Sequence, residues 1–368
     1  MQPTPEVSMQ SPVSCAVIGG GYWGPHLVRN LAHHPSTRLR WVIDLDPLRA
    51  RTLAARIPDA RWSTRLSDAL NDPGLDAVAI ATPAATHHQL ARQCLEAGRH
   101  VLVEKPLATS VEEGHDLVAT AQRMDRVLMC DHTYCYTPAV RRLQTAVASG
   151  ELGDVHYVDS VRVNLGLVQP DVDVVWDLAP HDLSILQMVL PAERPVLTVA
   201  AHGADPLGTG RPCVAHLSLG LGGDALAHLH VNWLSPTKVR TMVVGGSRRT
   251  FVWDDLDPTQ RVRLYDRGVD LDTGSADGDD VQRRIAYRVG DMTSPALGER
   301  EALAAVVGEF AEAITQRRPP LTDGRSGLWV LAVLEAAQRS LSHGGVPVPV
   351  TTSPAMATPA MATTSRSS

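Results

Sequence analysis

Lysine is all but missing from this chain. Of its 34 Lys and Arg residues only Lys105 and Lys238 are lysines, so arginine carries nearly all of the positive charge. Lys105 stands where an apolar, β-branched run stops, in "HVLVEKP". Burial can tune an amine toward neutrality, whereas a guanidinium stays charged. A retained amine at such a place is a candidate for proton chemistry.

Other absences narrow the field. The formal net charge is −6, so the basic surplus that nucleic-acid binding leaves in a sequence is lacking. No apolar run approaches the roughly 18 residues that a membrane span needs. The opening "MQPTPEVSMQSPVS" has neither a basic start nor an apolar core; no secretory signal is expected, and the expected compartment is the cytoplasm. The five cysteines (Cys15, Cys94, Cys130, Cys135, Cys213) form no Cys-x-x-Cys pair. Buried free thiols are expected rather than a disulfide or metal framework. His228 and His230 alternate in "LAHLHVNW", but no carboxylate or third ligand is near in sequence, and no metal site is expected.

At 368 residues, with 44% hydrophobic and 20% charged residues, the chain reads as a globular protein of two domains. Residues 14–132 alternate strand and helix signals, the pattern of a helix-covered parallel sheet. Residues 133–350 bring seven strand-like segments in near succession, from "DVHYVDSVRVNLG" to "RVRLYDRG", before two helical stretches. The expectation there is an α+β domain on an open, mostly antiparallel sheet. Residues 1–13 read as a loose leader and 351–368, with its repeated "PAMAT", as a disordered tail. "DLDTGSADGDDVQ" reads as an acidic surface loop.

Gly19-Gly20-Gly21-Tyr22-Trp23-Gly24 fits G-x-G-x-x-G, and it follows a strand signal, "CAVIG", and opens a helix. In that context Gly19 permits the tight turn, Gly21 lets backbone approach a pyrophosphate, and Gly24 permits close helix packing. The helix N-terminus beyond favours an anion. Asp44, twenty residues after Gly24, ends the second strand, where an acid meets ribose hydroxyls and repels the extra phosphate of NADP. The residues thus point to a Rossmann domain and to NAD rather than NADP as cofactor. Arg49 and Arg51 follow on a helix, where salt bridging accounts for them.

The fingerprint, "ATPAATHH", "VEKPLA" and a later Asp-x-x-x-His together resemble the Gfo/Idh/MocA oxidoreductases, over about residues 14–345. The resemblance implies a second domain carrying substrate contacts and subunit packing, in a homodimer or homotetramer. It places Lys105 beside the nicotinamide and the reacting hydroxyl. It pairs Asp177 with His181 in "VVWDLAPHDLSIL", with Ala179 where the family has glycine, and makes these three the catalytic set. Tyr22, Trp23, Thr82, Pro83, His87 and Glu104 join the cofactor side, although His87 could instead cap its helix.

Asp177 and His181, four residues apart, share one face of a helix that is expected to begin at Pro180. Asp177 would hold the imidazole in one tautomer, leaving the other nitrogen for proton transfer; a helix-stabilising aspartate and a partly buried histidine would explain the same residues. Within the family, "GYWGPHLVRN" and "NWLSPTKVR" resemble the nucleotide-sugar branch, which implies a UDP- or dTDP-hexose reacting at carbon three. Tyr136, Arg162, Asn164, Lys238 and Arg240 are the candidate substrate contacts, or else exposed strand residues. A free polyol or inositol dehydrogenase, an NAD-dependent glycosidase and a non-catalytic NAD-sensing regulator remain as other readings.

Overall fold

The computed structural model describes residues 11–166, 168–169, 172–272 and 284–351. These divide into two compact units: the chain up to Thr133 together with Glu301–Leu331, and Tyr134–Arg300 together with Ala332–Thr351.

The first unit follows the order β1 (Val13–Ile18), α1 (Gly24–His33), β2 (Thr37–Ile43), α2 (Pro47–Ala54), β3 (Arg61–Ser63), α3 (Leu66–Leu70), β4 (Ala77–Ile80), α4 (His87–Glu96), β5 (His100–Glu104), α5 (Val111–Arg123) and β6 (Leu128–Asp131). The sheet order is β3-β2-β1-β4-β5-β6, and every pairing is parallel. Its central strands read as unbroken apolar runs because both faces are covered; all four residues of β4 are buried.

Local signals set the helix starts. Asp46 accepts from the N–H groups of Leu48 and Arg49 to open α2 behind Pro47, and Ser110 accepts from Glu113 N–H to open α5. The Glu113 carboxylate reaches back one residue further than a capping box requires, to Thr109 N–H at 2.9 Å. Residues near 320 return to this unit because Thr322 covers the edge of β6: Cys130 N–H donates to its carbonyl at 2.9 Å, and its hydroxyl donates to the Cys130 carbonyl at 2.7 Å.

Asp72 gathers a buried polar cluster in this unit, accepting from Arg40, Trp41 and Gly74. The Arg40 hydrogen bond, against the opposing effect of burial, holds its carboxyl well below the usual carboxylate range. A depressed carboxylate contributes stability that is full above its unfolded value of roughly 3.9 and is lost as pH falls through the folded value. Asp72→Asn is therefore expected to cost about 1–3 kcal/mol at neutral pH. Urea titrations should show the gap from the parent narrowing only below about pH 4; a gap independent of pH would contradict the ionic account.

The second unit runs α6 (Pro138–Ala148), β7 (Val155–Leu165), α7 (Val174–Val189), β8 (Val196–Ala204), β9 (Val214–Leu221), β10 (Leu226–Asn232), β11 (Leu234–Gly246), β12 (Thr250–Asp254), β13 (Val262–Asp272) and β14 (Arg284–Thr293). Then come α8 (Ala302–Gln316), which packs in the first unit against α1, β1 and β2, α9 (Gly324–Ser342), whose last eleven residues belong to the second, and β15 (Val348–Pro349). The nine-stranded sheet has the order β14-β13-β12-β11-β7-β10-β9-β8-β15. It is antiparallel except where β10 pairs parallel with β7. In β10 Ala227, Leu229 and Val231 are fully buried, while His228, His230 and Asn232 are half-buried, as the alternation predicts.

One expectation is corrected. α7 begins at Val174, not at Pro180, because Asp173 accepts from the N–H groups of Val175 and Trp176 and starts the helix early. Pro180 therefore lies inside it. The expected acidic loop begins within β13; its residues 273–282, the leader to residue 10 and the tail after 351 lie outside the described residues.

Candidate active site

In the first unit the glycine loop does what its pattern demands. Gly19 has φ +95°, and a Cβ on it would lie 2.6 Å from the Ala81 carbonyl oxygen. Gly24 rests on the Gly19 carbonyl with no room for a side chain, whereas a Cβ on Gly21 would meet nothing within 4 Å. Two glycines thus close the turn and the third leaves an open surface. No side chain caps the N-terminus of α1 at Trp23; the His26 and Leu27 N–H groups turn back to the Trp23 carbonyl, and what the helix start offers an anion is the positive end of its dipole. These features fit a dinucleotide pyrophosphate. Tyr22 is 89% exposed beside this loop.

Asp44 follows β2, as expected, and its carboxylate is fixed under the loop. Oδ2 accepts from Gly20 N–H at 2.6 Å and Oδ1 from Asp46 N–H at 2.8 Å. The Arg49 guanidinium lies 3.8 Å away. Beyond β4, the Thr82 hydroxyl pairs with that of Thr86 at 2.7 Å. His87 does not cap α4. Its Nε2 meets the Thr82 carbonyl at 2.8 Å and its Nδ1 the Pro106 carbonyl at 2.7 Å. It thereby ties the loop that begins with Thr82 and Pro83 to the segment carrying Lys105. Burial lowers the His87 pKa and the Lys105 charge adds to this, against the two carbonyls.

Glu104 ends β5, and half-buried Lys105 follows it. Across the register Glu104 pairs with Asp131 at the end of β6. Asp131 is 1% exposed; it accepts from Trp23 Nε1 at 3.3 Å and from the Thr133 hydroxyl at 2.7 Å. Burial raises its pKa. Asp131 and the adjacent His132 were not legible as site residues. The available signal was their place at a C-terminal strand end, where parallel sheets gather ligands.

In the second unit Asp177 and His181 stand on consecutive turns of α7. Asp177 Oδ2 accepts from the Trp233 indole at 3.0 Å. The His181 and Tyr134 rings meet in a T-shaped contact, centroids 5.0 Å apart. Tyr134 is the third residue missed from sequence, where Tyr136, two residues on and buried, was expected.

Tyr134 is itself heavily supported. Arg162 lies over its ring at 4.4 Å, Trp253 packs at 5.9 Å, and Arg240 donates to its hydroxyl at 2.8 Å. Arg162 is 3% exposed and holds Asp182 at 2.8 Å. A substrate contact by Arg162 is thus replaced by a supporting role, because its guanidinium is spent on Asp182 and Tyr134. Asn164 is half-buried on β7 and Lys238 exposed on β11. Among the described residues, no group of three or more His, Cys, Asp or Glu side chains is placed to hold a metal ion, and no helix is long and apolar enough to cross a membrane.

Comparison with known proteins agrees with this chemistry. The profile described as an oxidoreductase family with an NAD-binding Rossmann fold matches residues 13–132, and that of the GFO/IDH/MocA C-terminal domain matches residues 140–252. The chain is 31% identical to UDP-N-acetylglucosamine 3-dehydrogenase of Acidithiobacillus ferrooxidans, over 86% of this chain and 93% of that one. It is 28% identical to an inositol 2-dehydrogenase of Mycolicibacterium smegmatis, over 92% and 96%. The structure of GenD2 from gentamicin A biosynthesis, in complex with NAD, superposes with a TM-score of 0.76 at 27% identity, covering 95% of this chain and 100% of that one. With a glycine fingerprint that closes correctly, an Glu-Lys-Pro lysine at a strand end and an Asp-x-x-x-His on a helix, the chain belongs to the Gfo/Idh/MocA family of oxidoreductases.

Proposed function

We propose that this protein is an NAD-dependent dehydrogenase or ketoreductase acting at carbon three of a nucleotide-activated hexose. The observation that carries the reading is the near full-length similarity to UDP-N-acetylglucosamine 3-dehydrogenase. The roles divide between the units. The first binds the dinucleotide and supplies Lys105; the second supplies His181. NAD, when bound, exchanges a hydride with the reacting carbon. In oxidation His181 takes the hydroxyl proton, and in reduction it returns that proton to the oxygen. Lys105 hydrogen-bonds the same oxygen and stabilises charge that develops on it. Asp177, anchored by Trp233, and Tyr134, braced by Arg162 and Arg240, hold the histidine's surroundings in place.

The test is a screen of the purified protein with NAD and NADH against UDP- and dTDP-hexoses, their 3-keto forms and free inositols, read by nicotinamide absorbance. Turnover on the nucleotide sugars supports the reading. Turnover confined to free inositols moves the assignment to the second reading, which the inositol 2-dehydrogenase similarity favours.

Asp44 supports NAD over NADP, since its carboxylate would repel a 2′-phosphate while Arg49 stands ready to bind one. Asp44→Asn keeps an acceptor for Gly20 N–H and removes the charge. NADPH affinity is expected to rise and NADH affinity to fall by about tenfold each, or ~1.4 kcal/mol, in fluorescence titrations. An unchanged ratio of the two would count against Asp44 as the discriminator.

A further inference from the structure

Strands β5 and β6 end in register, with Glu104 opposite Asp131. The next residue on each, Lys105 and His132, leaves the sheet at its C-terminal edge, side by side in the topology. His132 is 1% exposed, and among the described residues neither of its ring nitrogens has a hydrogen-bond partner. Burial pushes its pKa down to about 3, and the positive charge of Lys105 pushes in the same direction. The ring is therefore a neutral imidazole with one N–H and one lone pair, within electrostatic reach of the lysine.

Two buried histidines feel the Lys105 charge, and they differ. His87 has a backbone carbonyl facing each ring nitrogen, so its N–H is paired in either tautomer. His132 has a partner at neither. A buried polar group left unpaired is costly, and a leucine would fill the space without that cost. A retained imidazole here calls for a partner that arrives when the enzyme is loaded.

We propose that His132 is a positioning residue for Lys105: in the cofactor-loaded enzyme its ring lone pair accepts a hydrogen bond from the Lys105 ammonium and fixes the direction from which that group meets the reacting oxygen. The inference rests on the role given to Lys105 above, yet its test does not need turnover.

The scarcity of lysine makes the test direct. Lysine-selective 15N labelling of the full-length protein gives two side-chain ammonium signals, and Lys238→Arg leaves only that of Lys105. With NADH as the probe, His132→Leu is expected to speed exchange of the Lys105 ammonium protons with water by about fivefold or more, as a buried hydrogen bond is lost. His132→Asn, which keeps a side-chain acceptor, should restore much of the protection. Because His132→Leu removes an unpaired buried polar group, its melting temperature should equal or exceed the parent's, so a folding defect does not cloud the result. Unchanged exchange in His132→Leu would overturn the proposal and leave His132 bonded to water or merely packed. Faster exchange that asparagine fails to restore would also overturn it, pointing to lost packing. If Lys105→Met retains turnover on the substrates of the screen, the catalytic reading fails instead, whatever the exchange data say.

Discussion

Lys105→Met is expected to lower kcat by roughly 10²–10⁴-fold while NADH affinity stays near its parent value. Methionine matches the reach of the lysine stem and removes only the amine. In the proposed function the dinucleotide is assigned elsewhere, to the glycine loop, the start of α1 and Asp44. The loss should therefore appear in kcat and leave the cofactor binding isotherm alone. His181→Ala should behave in the same way. If both side chains serve one oxygen in one transition state, their effects will not add: the double variant should lose little more than the worse single one. Turnover retained in both single variants would sink the mechanism. Fully additive losses would leave both residues important but acting in separate steps.

Much of the first unit could be read in advance because its signals are local. Each central strand is covered on both faces and so reads as an apolar run; each turn carries its own chemistry. Gly19 needs a positive φ against the Ala81 carbonyl, and only glycine adopts that conformation there. Lys105 was legible for a compositional reason, as an amine in a chain built on arginine.

The second unit hid more. Its helix α7 starts inside "DVDVV", whose β-branched residues resemble a strand, and only the Asp173 cap decides the matter. The parallel pairing of β10 with β7 has no local signature, since it depends on where the chain returns after an intervening helix and two strands. Choosing Tyr134 over Tyr136 required knowing which side of an irregular turn meets His181. The burial of Arg162 depends on Asp182, twenty residues away on another element; an isolated arginine on a strand reads as exposed. Charged residues are almost never fully buried unless paired, and a partner twenty residues away leaves no local signal of the burial.

That pair carries the largest stability effect expected in the second unit. The side chains of Arg162 and Asp182 are only 4% and 2% exposed, so removing one partner strands a charge in the interior. Asp182→Leu or Arg162→Met alone is expected to cost about 3–5 kcal/mol, measured as a lower urea midpoint with tryptophan fluorescence as the signal. Trp253 packs on Tyr134 within the affected cluster, which makes it a local reporter. The double variant Arg162→Met/Asp182→Leu removes both charges and should recover most of that loss, because a well-packed apolar pair matches or exceeds a buried ion pair in stability. Activity should not return with it. Tyr134 would lack the guanidinium over its ring, a contact of about 2 kcal/mol when desolvated, and its contact with His181 would lose its support. Stability recovered with kcat still depressed would identify the ion pair as a brace for the site. Recovery of both would mean that Arg162 and Asp182 serve the fold alone and that Tyr134 holds its place without them.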